Sequence, residues 1–414
     1  MKFFDDPMIM LENTKLIERF ISYTKIDTTS DGSSESCPST ERQFELANLL
    51  VKQLVELGLA DAAVDENCYV TATLKGKGND VVGLLAHLDT SSAAPGVDVK
   101  AVFHENYDGK PIKLKNDVVI DPATDDYLER CVGDTVITSD GTTLLGADDK
   151  AGIAIIMSAL EYYKANPDIP HPTIKVGFTP DEEIGRGHAK FPIEEFGADV
   201  AFTLDGGYTG EINVETFEAY SAFVTVNGVP THPGMAKGKL VNALRFMAKF
   251  IDRLPAEISP ECTSNREGFI HPYEISGDAT SCKCHLILRD FEEEKVLGWG
   301  KIVKDVAASV EKEDPRLKVE VKIEFSYPNM LKFLREKPEI AQRLKEAVTK
   351  SGIEPNLESI RGGTDGSNLS RKGLPTPNIF AGGVNFHGPT EWVSTRAMGY
   401  SLCTVLNLMT LYAG

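Results

Sequence analysis

The stretch TIKVGFTPDEEIGRG, residues 173–187, decides how the rest of the chain is read. Its first half is a short, largely apolar run, the pattern of a strand buried on both faces of a sheet. Its second half places three carboxylates, Asp181, Glu182 and Glu183, at that strand's carboxyl end. Their mutual repulsion must be offset by something brought in from elsewhere. Three other runs repeat the design: VVGLLAH (81–87), DVAFTLD (199–205) and TPNIFAGG (376–383) are short, apolar and bounded by Gly, Pro or acids. Helical stretches separate several of them, notably AGIAIIMSALEYYKANP (151–167). Upstream, LIERFISYTKI and ERQFELANLLVKQLVELG carry helical periodicity, the second with a cap expected in PSTERQ. Strands alternating with helices predict an α/β domain: a mixed sheet flanked by helices.

Between residues 213 and 328 the order changes to strand, helix, strand, strand, helix, strand, running from EAYSAFVTVNG to LKVEVKIEFSY. That β-α-β-β-α-β order is the split, ferredoxin-like unit, and it predicts a second domain inserted into the first. The first domain is then discontinuous, residues 1–212 and 329–414, and it resumes with the helix KPEIAQRLKEAVTKSG. Residues 91–140 are irregular, and TSDGTTLLG (138–146) suggests a hairpin about an Asp-Gly turn.

Composition narrows the function. A chain of 414 residues exceeds what one core usually serves, so two domains are expected. With 42% hydrophobic residues, 25% charged residues and a net charge of −19, it reads as an acidic globular protein, which argues against nucleic acid and anionic membranes as partners. The opening MKFFDDPMIM lacks the basic-then-apolar order of a signal peptide, and the longest apolar run, 151–160, is too short for a bilayer. Seven scattered cysteines fit reduced thiols, so a cytoplasmic location is expected. Cys282 and Cys284 lie in an alternating strand pattern and are read as packing residues rather than metal ligands.

Chemistry gathers outside the carboxyl ends of strands in open α/β sheets. VVGLLA ends in His87-Leu88-Asp89, TIKVGFT in the three acids, DVAFTL in Asp205-Gly206-Gly207, and TPNIFAGG is followed by Asn385-Phe386-His387. LLGADDKAG puts Asp148 and Asp149 just before a helix. Alone, a His-x-Asp is more often a local hydrogen bond, and paired acids are more often a solvated helix start. Their coincidence at four strand ends shifts the balance. If the ends point the same way, His87, Asp148, Glu183, Asp205 and His387 converge, a mixed nitrogen and oxygen set suited to zinc, manganese or cobalt and sufficient for two cations sharing a carboxylate. Such cations would relieve the repulsion, and a hydrolase follows more naturally than a structural site. The segment GGTDGSN (362–368) is read as a turn or an anion cradle, without the signature of a phosphate loop.

HLDTS (87–91), TSDGTTLLGADDKAGIA (138–154), FTPDEEIGRG (178–187), LDGG (204–207), THPGMAKG (231–238), RGGTDGSNLS (361–370) and GGVNFHG (382–388) together resemble the signatures of the peptidase T family of aminotripeptidases. That family lies within the larger group of di-zinc aminopeptidases, carboxypeptidases and deacylases, and the likeness runs over nearly the whole chain. The resemblance implies two zinc ions per subunit, with cobalt or manganese as substitutes. One would sit on His87, Asp148 and Asp205, the other on Asp148, Glu183 and His387, with Asp148 rather than Asp149 at the bridge. It implies that Glu182 is the general base and Asp89 the carboxylate that orients His87. It further implies that the inserted domain is a lid and homodimerisation domain whose His232 polarises the scissile carbonyl, and that Arg289 and Arg361 hold substrate. The expected reaction is removal of the N-terminal residue from short peptides, tripeptides by preference. The rivals are a dipeptidase or an N-acyl amino acid deacylase of the same fold and, from a different class, a non-catalytic metal- or peptide-binding protein. For Asp181 the expectation is a helix or turn cap.

Overall fold

The computed structural model describes residues 3–414. The chain forms two compact units, one made of the chain up to Val214 with Phe333–Glu358 and Thr364–Gly414, the other of Glu215–Lys332 with Ser359–Gly363.

The first unit is built on an eight-stranded mixed sheet. Its strands run in the order Ala63–Val64, Val70–Leu74, Thr173–Thr179, Val81–His87, Val200–Gly206, Asn378–Phe380, Glu211–Asn213 and Asn356–Leu357. Thr173–Thr179, Val81–His87, Val200–Gly206 and Asn378–Phe380 are parallel to one another, so their carboxyl ends share one edge. Buried on both faces, they carry the continuous apolar runs that parallel strands require. The helix Ala147–Ala165 packs on this sheet and against the helices Leu16–Thr24 and Thr395–Tyr412. It is buried almost all round, which matches its run AGIAIIMSAL. Gly152 permits the close approach: a Cβ there would lie 2.4 Å from the Leu204 carbonyl oxygen and 2.3 Å from Asp149 Oδ1.

Four details depart from the sequence reading. The strand expected over 376–383 is only Asn378–Phe380, because Gly382 turns the chain at φ +94° and Gly383–Val384 pairs in a different sheet. The helix Gln43–Glu56 begins after Arg42 without a side-chain cap, so PSTERQ does not act as one. Asp140-Gly141 makes no hairpin: the strand Val136–Thr138 pairs with the distant Trp392–Ser394 and Val102–His104, and Asp140 closes its own loop by accepting from the Thr142 amide at 3.0 Å and hydroxyl at 2.5 Å. GGTDGSN opens a helix, Asp365–Arg371, capped by the Thr364 hydroxyl on the Gly366 amide at 2.9 Å. The helices Pro7–Asn13 and Thr395–Tyr412 come in addition to those read from the sequence.

The second unit has the strand Glu218–Asn227, helix Ala243–Asp252, strands Phe269–Gly277 and Ser281–Asp290, helix Glu293–Glu311 and strand Lys318–Tyr327. Its antiparallel sheet is ordered Phe269–Gly277, Ser281–Asp290, Glu218–Asn227, Lys318–Tyr327, the interleaving that a β-α-β-β-α-β chain gives. Alternation puts Cys282, Cys284, Leu286 and Leu288 in the core with Met247, Phe250 and Val303 from the helices. The returning segment joins through Ile360, which pairs with Thr216 and accepts from the Phe217 amide at 3.0 Å. Among the described residues no helix is long and apolar enough to cross a membrane.

Candidate active site

The shared strand edge gathers two histidines and several acids of the first unit. His87 pairs in register with Thr179, and the Leu88 amide donates to the Thr179 carbonyl at 2.7 Å, so the segments leaving both strands start side by side. His87 Nε2 lies 2.8 Å from Asp148 Oδ1 and 3.7 Å from Asp205 Oδ1. His387 Nε2 lies 3.1 Å from the other Asp148 oxygen and 2.9 Å from Glu183 Oε2. The Asp148 carboxylate thus presents one oxygen to each histidine. Ligand-type atoms of His87, Asp148 and Glu183, and of His87, Asp149 and Asp205, fall within 4.8 Å of one another.

Asp148 and Asp149 are not equivalent. The oxygens of the buried Asp149 carboxylate accept backbone amides, His87 N at 3.2 Å and Gly152 N at 3.2 Å, which fastens the strand end to the helix. Asp148 faces the imidazoles instead. Its backbone is held by the buried Glu391, whose carboxylate accepts the amides of Leu145, Gly146 and Asp148 at 2.7, 2.8 and 3.1 Å. The Asp148–Asp149 peptide is cis.

Asp89 works on two neighbours at once. Its carbonyl oxygen is 2.9 Å from His87 Nδ1, its Oδ1 3.4 Å, and its carboxylate accepts the amides of Glu182 and Glu183 at 2.9 and 3.2 Å. One buried acid therefore fixes both the imidazole and the turn that carries the next two acids. Asp181 stands at φ +60° and its side chain caps nothing, contrary to expectation. It reaches back to the N-terminal region, accepting from the Ser39 amide at 2.7 Å, the Ser39 hydroxyl at 2.5 Å and Gln43 Nε2 at 2.7 Å.

So many acids in one buried place leave a mark on their proton affinities. Burial, then the charge of Asp148, pushes Glu183 up to about 7, and burial pushes Asp205 up to about 6. Burial and Asp205 also raise Glu182. Burial would raise Asp148, but His387 and His87 outweigh it and hold Asp148 well below the usual range. Hydrogen bonds to Asp148 and Glu183 raise His387 to about 10. Glu183 Oε1 is buried without a hydrogen-bond partner among the described residues. An orphaned carboxylate oxygen beside two imidazoles and two further acids is what a divalent cation would satisfy, so this donor set fits metal.

Two acids here were not singled out from the sequence. Asp365 is buried, accepts from the Thr179 hydroxyl at 2.8 Å and is pushed up to about 7 by burial. It leaves no room for a side chain at Gly187, where a Cβ would lie 2.3 Å from its Oδ2. Its only signal was the Asp within GGTDGSN; Glu391 had none. His232, Arg289 and Arg361 belong to the second unit. His232 is exposed and its Nδ1 accepts the Gly234 amide at 3.2 Å. Arg289 donates to the carbonyls of Tyr220 and Leu288 at 3.0 and 2.9 Å and stacks on Tyr327. Arg361 donates to the Thr263 hydroxyl at 2.9 Å over the rings of Phe217 and Phe269.

Residues 138–410 match the model of peptidase family M20/M25/M40, and the chain belongs to that family: it is a peptidase, a hydrolase. Curated relatives called Peptidase T are similar over almost the whole length. The one from Listeria welshimeri is 45% identical over 403 residues, 96% of this chain and 98% of its own, and the one from Bacillus subtilis is 45% identical over 389 residues, 93% and 95%. Among solved structures, the aminopeptidase PepT from Bacillus cereus superposes with a TM-score of 0.74 at 23% identity, covering 97% of this chain and 98% of its own. YxeP from Bacillus subtilis, a dinuclear metal-binding peptidase of the M20 family, superposes at 0.64 with 14% identity, covering 96% and 98%. At such identities these two show the fold.

Proposed function

We propose that this chain is a metal-dependent aminopeptidase that removes the N-terminal residue from short peptides, tripeptides first. The observation that carries the reading is Asp148, with one oxygen toward His87 and the other toward His387, beside a Glu183 whose second oxygen is unpartnered. His87, Asp148 and Asp205 would hold one cation and Asp148, Glu183 and His387 the other; zinc is the proposed metal, and cobalt or manganese suit the same donors. When bound, such a pair polarises a carbonyl and lowers the pKa of water.

The rest falls to the chain. Glu182 is adjacent to a ligand but outside the ligand set, so its carboxylate is free to take the proton of the attacking water and deliver it to the leaving amine nitrogen. Its raised proton affinity suits a group that must hold that proton between the two transfers. Asp89 keeps the His87 ring in the orientation that turns Nε2 toward Asp148. From the inserted unit, His232 would polarise the scissile carbonyl, and Arg289 and Arg361 would meet the peptide carboxylate with planar donor forks. The inserted unit is also proposed to act as lid and homodimer contact, and the enzyme to work in the cytoplasm, in keeping with its unpaired cysteines.

The test is to strip the protein with chelator, restore zinc, cobalt or manganese, and assay tripeptides, dipeptides and N-acyl amino acids side by side. Tripeptide cleavage restored by metal and exceeding the other two is expected. Faster turnover of dipeptides or acylated amino acids would replace the tripeptidase reading, and no turnover with any metal would remove the enzyme reading.

A further inference from the structure

A cavity with a volume of about 600 Å³ opens in the first unit, and no residue of the metal set lines it. That lies within the range of about 300–1,000 Å³ typical of small-molecule sites. Three tyrosines, Tyr127, Tyr208 and Tyr400, form aromatic walls, with Arg130, Arg396 and Glu354 among the charged lining residues. The charges differ in their engagements. Arg396 is tied down, donating to the Gly133 carbonyl at 3.3 Å. Arg130 sits 5.2 Å from the centroid of the Tyr127 ring and makes no ion pair or side-chain hydrogen bond among the described residues. Glu354 is exposed and likewise unpaired among them.

A planar cation whose donors have no ion pair or side-chain hydrogen bond among the described residues, a carboxylate in the same state and flat aromatic surfaces on one cavity call for a ligand with complementary parts. Arg130 suits a carboxylate, which its fork can bind through two parallel hydrogen bonds. Glu354 suits an ammonium group, and the tyrosines suit a ring. An anionic ligand without an ammonium group would meet Glu354 and Glu211, which also lines the cavity, unbalanced. We propose that this cavity is a binding site for a free aromatic α-amino acid in its zwitterionic form, and that its occupant acts as an effector of the metal-set site. The wall explains how occupancy would be felt. The Tyr208 ring lies 6.0 Å from that of Trp392, the neighbour of Glu391, which holds the Asp148 amide. Trp392 Nε1 and Asn385 Nδ2 both donate to Asp125 Oδ2, at 2.8 and 2.9 Å, and Asn385 stands two residues before His387. That a free amino acid would also be the enzyme's product rests on the proposed function; binding at the cavity does not.

The experiment titrates L-phenylalanine into the full, zinc-loaded chain by calorimetry, for the wild type and for Arg130→Ala and Glu354→Gln, both at exposed positions, with thermal melts to show that each variant is folded. Loss of a charge-assisted contact should weaken binding by ~10-fold or more in each variant. Turnover of a tripeptide is then followed with and without L-phenylalanine, and its response should disappear in Arg130→Ala. No heat of binding up to the solubility limit, or affinities unchanged in both variants, overturns the site. A turnover response that persists unchanged in Arg130→Ala assigns the amino acid to the metal set instead. Binding that is lost in the variants but never alters wild-type turnover keeps the site and overturns its effector role.

Discussion

Three adjacent acids, Asp181, Glu182 and Glu183, meet three different surroundings within one turn. Glu183 faces His387, Glu182 stands next to it outside the proposed ligand set, and Asp181 turns away to Ser39 and Gln43. Glu182→Gln should therefore leave the metal content near normal while kcat falls by at least ~10², measured on metal-quantified protein. Near wild-type turnover would remove the general-base role. Asp181→Asn keeps a residue tolerant of positive φ but sets an amide against the donors on Ser39 and Gln43. It should cost about 1–3 kcal/mol of stability in denaturant unfolding. An unchanged midpoint would show that this link carries no stability. The division between Glu182 and Glu183 was legible only through family resemblance, since adjacent acids look alike in sequence. Asp181 was illegible because its partners lie about 140 positions away in the chain.

At the scale of elements, the start of the helix Ala147–Ala165 depends on a residue from far down the chain. Glu391 accepts three amides there, the last from Asp148 itself. Glu391→Ala should leave those donors buried and unmet and loosen the proposed bridging carboxylate. A loss of metal affinity of about 10–100-fold is expected, read by competition with a chromophoric chelator. Retention of wild-type affinity would make Glu391 a purely structural cap. The strands were legible because apolar runs ending in polar clusters are a local pattern. The helix Thr395–Tyr412 was not: buried on nearly every side, it has no polar face to give it a period, and its one charged residue is Arg396 in the first turn, whereas the equally buried Ala147–Ala165 is bounded by charges near both ends. The strand Val136–Thr138 misled in another way: its partners are remote, and Asp140-Gly141 imitates a hairpin turn that the fold does not make.

For the molecule as a whole, the concentrated negative charge links metal, protons and stability. Metal binding requires that Glu183, Asp205 and His387 give up protons that burial and neighbouring charges lead them to keep, at about 7, 6 and 10. Metal affinity should thus rise from about pH 5.5, as the two carboxyls ionise, and go on rising towards about pH 10, where His387 gives up its proton, with protons released on binding, as calorimetry in buffers of different ionisation enthalpy would report. Without metal, the two raised carboxyls contribute stability at low pH that is lost as pH climbs through their folded values, because the folded state then holds the extra protons. Chelation should lower Tm more at about pH 8 than at about pH 5.5. An equal drop at both would disconnect these acids from the metal. If His232 acts across a homodimer, mixing Glu182→Gln chains with His232→Ala chains should recover activity through hybrids; demonstrated subunit exchange without recovery would oppose that. The inserted β-α-β-β-α-β order was legible from its alternating strands, whereas the return of Ser359–Gly363 to the second unit was not, because so short a segment has no period of its own. The first unit's discontinuity also sets an order of events at the ribosome. When residue 363 is made, every residue of the second unit exists, yet the first still lacks the central strand Asn378–Phe380, His387, Glu391 and the helix Thr395–Tyr412. The earlier strands must wait with one side of the sheet unpaired, and no chain that ends before residue 387 can assemble the acidic cluster with both histidines.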